Sequence, residues 1–163
     1  MNVRLGAVIV AILLVGSACT SAGSRQPAPV MTPELSAQLR ARAFMRACQD
    51  VACAGAPILA PDSTPPSVRE AIVEQFTDEV EYLSDSQLEE RYDANGTYPD
   101  GAVWLNVNLV DTTERSDVIG VDVWISRARF DFVGRTYLFL WDGIQWVDTS
   151  PETVDVTVTT SVS

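Results

Sequence analysis

Two stretches of alternating side chains decide the fold: VWLNVNLV at residues 103–110 and IGVDVWI at residues 119–125. In both, aliphatic side chains occupy the odd positions, and tryptophan, asparagine, aspartate or glycine fills nearly every even position. A period of two places alternate side chains on opposite faces of a β-strand. The sequence therefore predicts two strands of one sheet, with an aliphatic face and a second face that mixes aromatic and polar groups.

The C-terminal part of the chain predicts further strands. Asp142-Gly143 is a favoured two-residue hairpin turn, and it lies between apolar runs at residues 137–141 and 144–148. Beyond it, valines alternate with threonine, serine and aspartate over residues 154–162, which predicts a last strand or an ordered tail.

A helix is predicted to begin near Thr32. The Thr32 side chain can cap it, Pro33 suits the first turn, and Glu34 favours the positive end of the helix dipole. The apolar stripe of this helix consists of Leu35, Leu39, Ala43 and Ala47, which are spaced four apart.

A second helix is predicted after a proline-rich connection at residues 57–66. Ser63 or Thr64 can cap it, and the apolar spacing carries it through about Phe76. Alternation of valine and tyrosine with glutamate at residues 79–82 then predicts a short strand.

Helices thus precede most of the strands in the chain. This order predicts an α+β domain over residues 32–163, with N-terminal helices packed on one face of a C-terminal antiparallel sheet meander. The order of elements over about residues 33–150 resembles that of nuclear-transport-factor-2-like domains, in which a curved sheet and helices enclose a cavity. The resemblance includes no specific motif. Because that group contains both enzymes and non-catalytic domains, the resemblance implies a fold and no particular activity.

The N-terminus has the pattern of an export signal. Arg4 precedes an uninterrupted run of apolar or small residues, LGAVIVAILLV at residues 5–15. This run has the length of a signal-peptide core, and it is shorter than the roughly 20 residues of a membrane-spanning helix. Three small residues at positions 16–18 and then Cys19 follow.

This segment resembles a bacterial lipoprotein signal, in which an apolar stretch, small residues and a cysteine are read by a lipoprotein signal peptidase. The resemblance covers residues 1–19 and implies that Cys19 receives diacylglycerol and becomes the first residue of the mature protein. The family usually has an aliphatic residue three positions before the cysteine, where this chain has Gly16. The alternative is an ordinary signal peptide, cleaved after a small-x-small site that ends at Ala18 or Ala22.

The lipoprotein interpretation divides the chain into three parts. Residues 1–18 are the signal peptide, residues 19–31 are a flexible tether rich in serine, alanine and proline, and residues 32–163 are a single folded domain. The expected location is the outer face of the bacterial cytoplasmic membrane or the cell envelope. The membrane is then a partner through the lipid anchor alone.

The remaining cysteines, Cys48 and Cys53, predict a structural disulfide, since disulfides persist in exported proteins. In a continuous helix these residues would be separated by about 7.5 Å of axial rise. That exceeds the roughly 6.8 Å limit on the Cα separation of a disulfide. The helix that begins near Thr32 must therefore end soon after Cys48, and Gly55 and Pro57 agree with a break there.

Composition excludes several kinds of chemistry. All eleven basic residues are arginine, 22 residues are acidic, the formal net charge is −11, and the chain has no histidine. Such a charge repels nucleic acid, which is not expected as a partner. Histidine triads and histidine metal sites are ruled out, and no cofactor or metal is predicted.

The mixed face of the predicted sheet is the candidate ligand face. Its aromatic and polar side chains could line a pocket. Alternatively, this face packs under the helices and its tryptophans fill space. The candidate residues are Trp104, Asn106, Asp122, Trp124, Tyr137 and Trp141.

Two classes of function follow from this face. The leading one is a non-enzymatic envelope module that binds a protein, a polymer or a small ligand. The other is a small pocket enzyme of hydrolase or isomerase type that uses aspartate or tyrosine for acid–base chemistry. They differ in whether Asp122 and Tyr137 converge with Trp104 and Trp124 on an enclosed cavity.

A charged cluster lies close to a predicted strand turn. Its members are Arg127, Arg129, Asp131 and Arg135. The sequence favours a solvated face with surface ion pairs, and an anion site is the alternative.

The lipoprotein interpretation predicts that the wild-type protein fractionates with membranes and is released by detergent, not by high salt. Two acyl chains suffice for stable anchoring, and so acidic a surface offers no electrostatic hold on anionic lipid. Cys19→Ser should abolish labelling with a fatty-acid analogue and leave uncleaved precursor or soluble secreted protein. Wholly soluble wild-type protein with its N-terminus at Gly23 would establish the ordinary signal peptide instead.

Overall fold

The computed structural model describes residues 26–110 and 116–149. Cys19 and the last strand predicted at residues 154–162 lie outside these residues. The helices are α1 (Pro33–Asp50), α2 (Pro66–Gln75) and α3 (Asp85–Glu90), with a short 3-10 turn at Pro99–Gly101. The strands are β1 (Ile58–Pro61), β2 (Val80–Leu83), β3 (Val103–Val110), β4 (Val118–Ala128), β5 (Asp131–Trp141) and β6 (Trp146–Asp148).

The six strands form one sheet in the order β2-β1-β3-β4-β5-β6. Strands β3 to β6 are an antiparallel meander, as predicted, and the α+β class is confirmed. Strand β1, however, lies between β2 and β3 and runs parallel to both. The sheet is therefore mixed, and one of its inner strands comes from a segment predicted to be a connection.

Strand β1 was not predicted from the sequence because prolines flank it. Pro57 precedes it and Pro61 is its last residue, and prolines are tolerated in sheets at such terminal positions. All four strand residues are buried, so the segment reads as a short continuous apolar run without alternation. Such a run does not distinguish a strand from other buried structure by its period.

Helix α1 begins as predicted. The Thr32 hydroxyl accepts a hydrogen bond from the Leu35 amide at 3.2 Å, and Pro33 is the first helical residue. The helix packs on β3, β4 and β5, and small side chains on its buried face allow this close approach. The buried residues of α1 are Ala37, Leu39, Ala41, Ala43, Phe44, Ala47 and Cys48.

Helix α2 begins later than predicted. Pro65 is its N-cap residue and makes no side-chain cap, so the prediction of a cap at Ser63 or Thr64 is wrong. Thr64 is instead buried in the preceding turn, where its amide donates to the Pro61 carbonyl at 3.0 Å. Arg69 of α2 donates from Nε to the Thr64 carbonyl at 2.9 Å.

The alternation predicted for β3 and β4 is confirmed by their burial and register. The odd-numbered residues face α1. Among them, Val103, Leu105, Val121 and Val123 are completely buried. The even-numbered residues face the opposite side of the sheet, and most of them are half-buried or exposed. A second, smaller cluster covers the β1–β2 end of that other face, and its buried members are Leu59, Leu83, Tyr98 and Ala102.

The hairpin between β5 and β6 is longer than predicted. Trp141 pairs with Trp146, so the loop contains four residues and not two. The Asp142 carboxylate accepts hydrogen bonds from the amides of Ile144 at 2.8 Å and Gln145 at 2.9 Å. Gly143 supplies the positive φ of 106° that this turn requires.

The end of α1 agrees with the predicted disulfide. The helix stops at Asp50, and Ala52 adopts a φ of 54°, which turns the chain back on itself. The Cys53 amide donates to the Cys48 carbonyl at 2.9 Å. The Cα atoms of the two cysteines are 5.0 Å apart and their sulfurs lie within bonding reach.

Replacement of both Cys48 and Cys53 by serine should lower the free energy of unfolding by about 2 kcal/mol, because the disulfide closes a short loop in the unfolded chain. Chemical denaturation of the oxidised and double-serine proteins measures this difference. Mass spectrometry of exported protein, alkylated before reduction, should find both thiols protected. Alkylated thiols at these positions would contradict the disulfide.

Candidate functional site: the open face of the sheet

The open face is the side of β3, β4 and β5 that lies opposite α1. The strand register arranges its central side chains in three cross-strand rows, each containing one residue from each strand. Adjacent rows are roughly 7 Å apart, the rise of two residues along a strand. The rows are Trp104–Ser126–Phe132, Asn106–Trp124–Gly134 and Asn108–Asp122–Thr136.

Trp124 lies at the centre of the open face. An added Cβ on Gly134 would lie 3.1 to 3.3 Å from three atoms of the six-membered ring of Trp124. The ring therefore rests directly on the backbone of β5, in a space that any larger residue would occupy. Trp124 is half-buried and belongs to neither hydrophobic cluster. One side of the indole is thus supported by the sheet, and the indole takes no part in the core.

A polar row borders Trp124 on one side. The Asp122 carboxylate accepts a hydrogen bond from the Thr136 hydroxyl across the strand pair. Asn108 stands beside Asp122 and Asn106 stands beside Trp124 in the register. Within the described residues, the side-chain amides of these two asparagines form no hydrogen bond.

An aromatic row borders Trp124 on the other side. Trp104 and Phe132 meet edge to face, with ring centroids 6.0 Å apart. Trp104 also packs against the cluster that includes Tyr98. Trp104 therefore connects the open face with the smaller hydrophobic cluster near α3. Trp124, in contrast, belongs to neither cluster.

Tyr137 and Trp141 do not belong to this face, so their grouping with Trp104, Asn106, Asp122 and Trp124 is wrong. Tyr137 pairs with Val121, and both face α1. The cause is a β-bulge between the Ser126–Phe132 and Ala128–Asp131 pairs. The bulge adds one residue to β4, so the residues of β5 beyond it face the side of the sheet opposite to the one that uninterrupted pairing from Ala128–Asp131 would give.

Tyr137 is buried beside the end of α1. Its hydroxyl donates to the Asp50 carboxylate at 2.9 Å. Burial first, and then the hydrogen bond to Asp50, raises the pKa of Tyr137 to about 12. This tyrosine therefore stays protonated at neutral pH and fastens β5 to the helix end.

Trp141 lines a separate cleft between α1 and β6, of about 410 Å³. Its Nε1 donates to the Gln26 carbonyl at 2.8 Å. Arg42 crosses the cleft and donates from Nη1 to the Trp146 carbonyl at 2.8 Å, with its guanidinium 4.9 Å from the Phe139 ring centroid.

The sequence analysis did not identify this cleft. A signal was present, because Arg42 follows Leu35 and Leu39 on the apolar stripe of α1 at helical spacing. A basic residue on a buried stripe needs a partner for its charge. The partners, a carbonyl of β6 and an aromatic ring of β5, could not be read from the sequence.

The charged cluster near the β4–β5 turn mostly serves α1 and α3. Arg127 donates to the Val51 carbonyl just past α1. Arg135 lies 3.4 Å from the Asp50 carboxylate. Arg129 pairs with Glu89 of α3 at 2.8 Å, and both side chains are about half exposed. This arrangement agrees with the ion-paired interpretation of the cluster.

In the described part of the chain, no group of three or more carboxylates and thiols is placed to hold a metal ion. In the same residues, no helix combines the length and apolarity needed to cross a bilayer.

Comparison with known protein families, with curated proteins and with solved structures gives no match for this chain. The resemblance of its element order to nuclear-transport-factor-2-like domains accordingly stays a prediction, as does the lipoprotein signal.

Tyr137→Phe should lower the free energy of unfolding by about 1.5–3 kcal/mol at neutral pH, because it removes a hydrogen bond to a charged group. The folded-state pKa of Tyr137, about 12, exceeds its ordinary value of 10.0. Its contribution is therefore complete below pH 10 and is lost as the pH rises through 12. Urea titrations of both proteins at pH 7 and pH 11 should show a smaller stability difference at pH 11. An unchanged difference would contradict this role.

Proposed function

We propose that this protein is an exported, lipid-anchored module of the bacterial cell envelope, and that it binds an envelope component through the open face. Export and anchoring follow from the apolar N-terminal run and Cys19. The binding role follows from the folded domain. The observation that carries it is the indole of Trp124, which lies on Gly134 outside both clusters of the core.

Trp124 lies outside both core clusters, so filling the core is not its role. Large aromatic residues contribute to stability mainly by burial in a core, and Trp124 is only half-buried. Aromatic side chains that remain accessible among polar groups are typical of binding surfaces. The side-chain amides of Asn106 and Asn108, which form no hydrogen bond with the residues that the structure describes, add hydrogen-bonding groups beside the ring.

The pocket-enzyme alternative loses its proposed residues. It required Asp122 and Tyr137 to converge on one cavity. Asp122 lies on the open face and pairs with Thr136, whereas Tyr137 faces α1 and pairs with Asp50. The two groups are separated by the sheet itself, so they cannot act on one substrate.

The binding role predicts that Trp124→Ala reduces co-sedimentation of the soluble, secreted Cys19→Ser protein with isolated, insoluble bacterial envelope material. Loss of the indole removes most of the apolar contact area, and binding should weaken by at least about tenfold, which corresponds to 1.4 kcal/mol. The fraction of protein in the pellet measures binding.

Val73→Ala is the matched control. Val73 is 71% exposed on α2, which packs against α1 on the other side of the sheet. This variant removes exposed apolar surface and should leave binding unchanged. Equal sedimentation of wild-type and Trp124→Ala proteins, both folded by circular dichroism, would overturn the proposed function.

A further inference from the structure

We infer that the ligand of the open face is an uncharged glycan chain, whose sugar rings stack on Trp124. This inference rests on the proposed function and names the ligand class of the same site. It follows from the geometry of the aromatic platform, from the polar groups around it, and from the charges that the face lacks.

The platform suits the apolar side of a sugar ring. A pyranose presents axial C–H groups on a flat face, and these groups contact an aromatic π-surface favourably. The six-membered ring of Trp124 is held in place by the close approach of Gly134, within 3.1 to 3.3 Å of an added Cβ. Its supported position removes much of the rotamer entropy that ordering a free side chain would cost on binding.

The neighbouring polar groups suit hydroxyls. A sugar hydroxyl both donates and accepts hydrogen bonds, and it requires both kinds of partner. Asn106 and Asn108 each offer an amide with two donors and one acceptor, and neither is used within the described residues. Asp122, oriented by the Thr136 hydroxyl, offers acceptor oxygens in the same row.

The charges of the face exclude an anionic ligand. None of the nine residues in the three rows is basic, and Asp122 is their only charge. The formal net charge of the chain is −11. A phosphate-rich or uronate-rich polymer would be repelled at this surface, whereas an uncharged glycan carries no such penalty.

The shape of the face favours a chain over a single sugar. The three rows extend across three adjacent strands, and α1 lies on the other side of the sheet. An open surface several residues long can contact successive rings of a polymer. A single sugar is held better in an enclosed pocket, where most of its surface is buried.

The test is titration of the soluble Cys19→Ser domain with three oligomers of equal length. Chitohexaose and cellohexaose are uncharged, and hexagalacturonate is anionic. Tryptophan fluorescence and calorimetry follow binding. Saturable binding of at least one uncharged oligomer is expected, with none for the anionic one. Trp124→Ala should weaken binding by about tenfold or more, and Val73→Ala should leave it unchanged.

A second variant separates loss of the platform from loss of the fold. Gly134 has a backbone conformation open to other residues, since its φ is not in the left-handed region. Gly134→Val should lift the indole from β5 and weaken glycan binding to a similar extent, with the thermal unfolding transition still cooperative. Wild-type affinity in a folded Gly134→Val protein would overturn the stacking geometry.

The remaining outcomes distinguish this inference from the proposed function. If neither uncharged oligomer binds while envelope binding still depends on Trp124, the glycan assignment is wrong and the binding module stands. If protease treatment of the envelope material abolishes that binding, the partner is a protein and the glycan assignment is again wrong. If envelope binding does not depend on Trp124, both proposals fail.

Discussion

The packing of α1 on one face of the sheet is the constraint on which the rest of the structure depends. Alanines along the buried side of the helix allow it to lie close to β3, β4 and β5. Leu39 and Phe44, with at most 1% exposure, fill the remaining space. Among the described helices, α1 is the longest, and it packs on all three of these strands. One face of the sheet is thereby sealed, and the other keeps its aromatic and polar side chains at the surface.

The sequence predicted those parts of the fold that depend on local pattern. The cap at Thr32, the alternation along β3 and β4 and the end of α1 near Cys48 each follow from a few neighbouring residues. Strand β1 could not be predicted, because Ile58, Leu59 and Ala60 gain their strand character from pairing with two distant segments. The three buried residues between Pro57 and Pro61 carry no periodic signal of their own.

For a similar reason, four of the six candidate ligand residues predicted from the sequence lie on the open face. Parity along a strand is local, and it correctly joined Trp104, Asn106, Asp122 and Trp124. Parity across a hairpin depends on the pairing at its turn. The Ala128–Asp131 pair, continued without interruption, would place Tyr137 opposite Asp122 on the open face. Because of the bulge near Arg127, Tyr137 pairs with Val121 instead. The residue types around Arg127 give no signal that predicts this bulge.

The contact between the Trp141 indole and the Gln26 carbonyl sets how far an anchored domain could stand from a membrane. Ala28 also packs against the core, so the domain already holds the chain from Gln26 onward, within the segment predicted as tether. For a chain anchored at Cys19, six residues would separate the anchor from Gln26, and this stretch spans at most roughly 25 Å when fully extended. A domain anchored by so short a segment would stay within a thin layer above the bilayer. Within that layer the effective concentration of an anchored domain would be high, so that the binding proposed above would require only a low affinity for its envelope ligand.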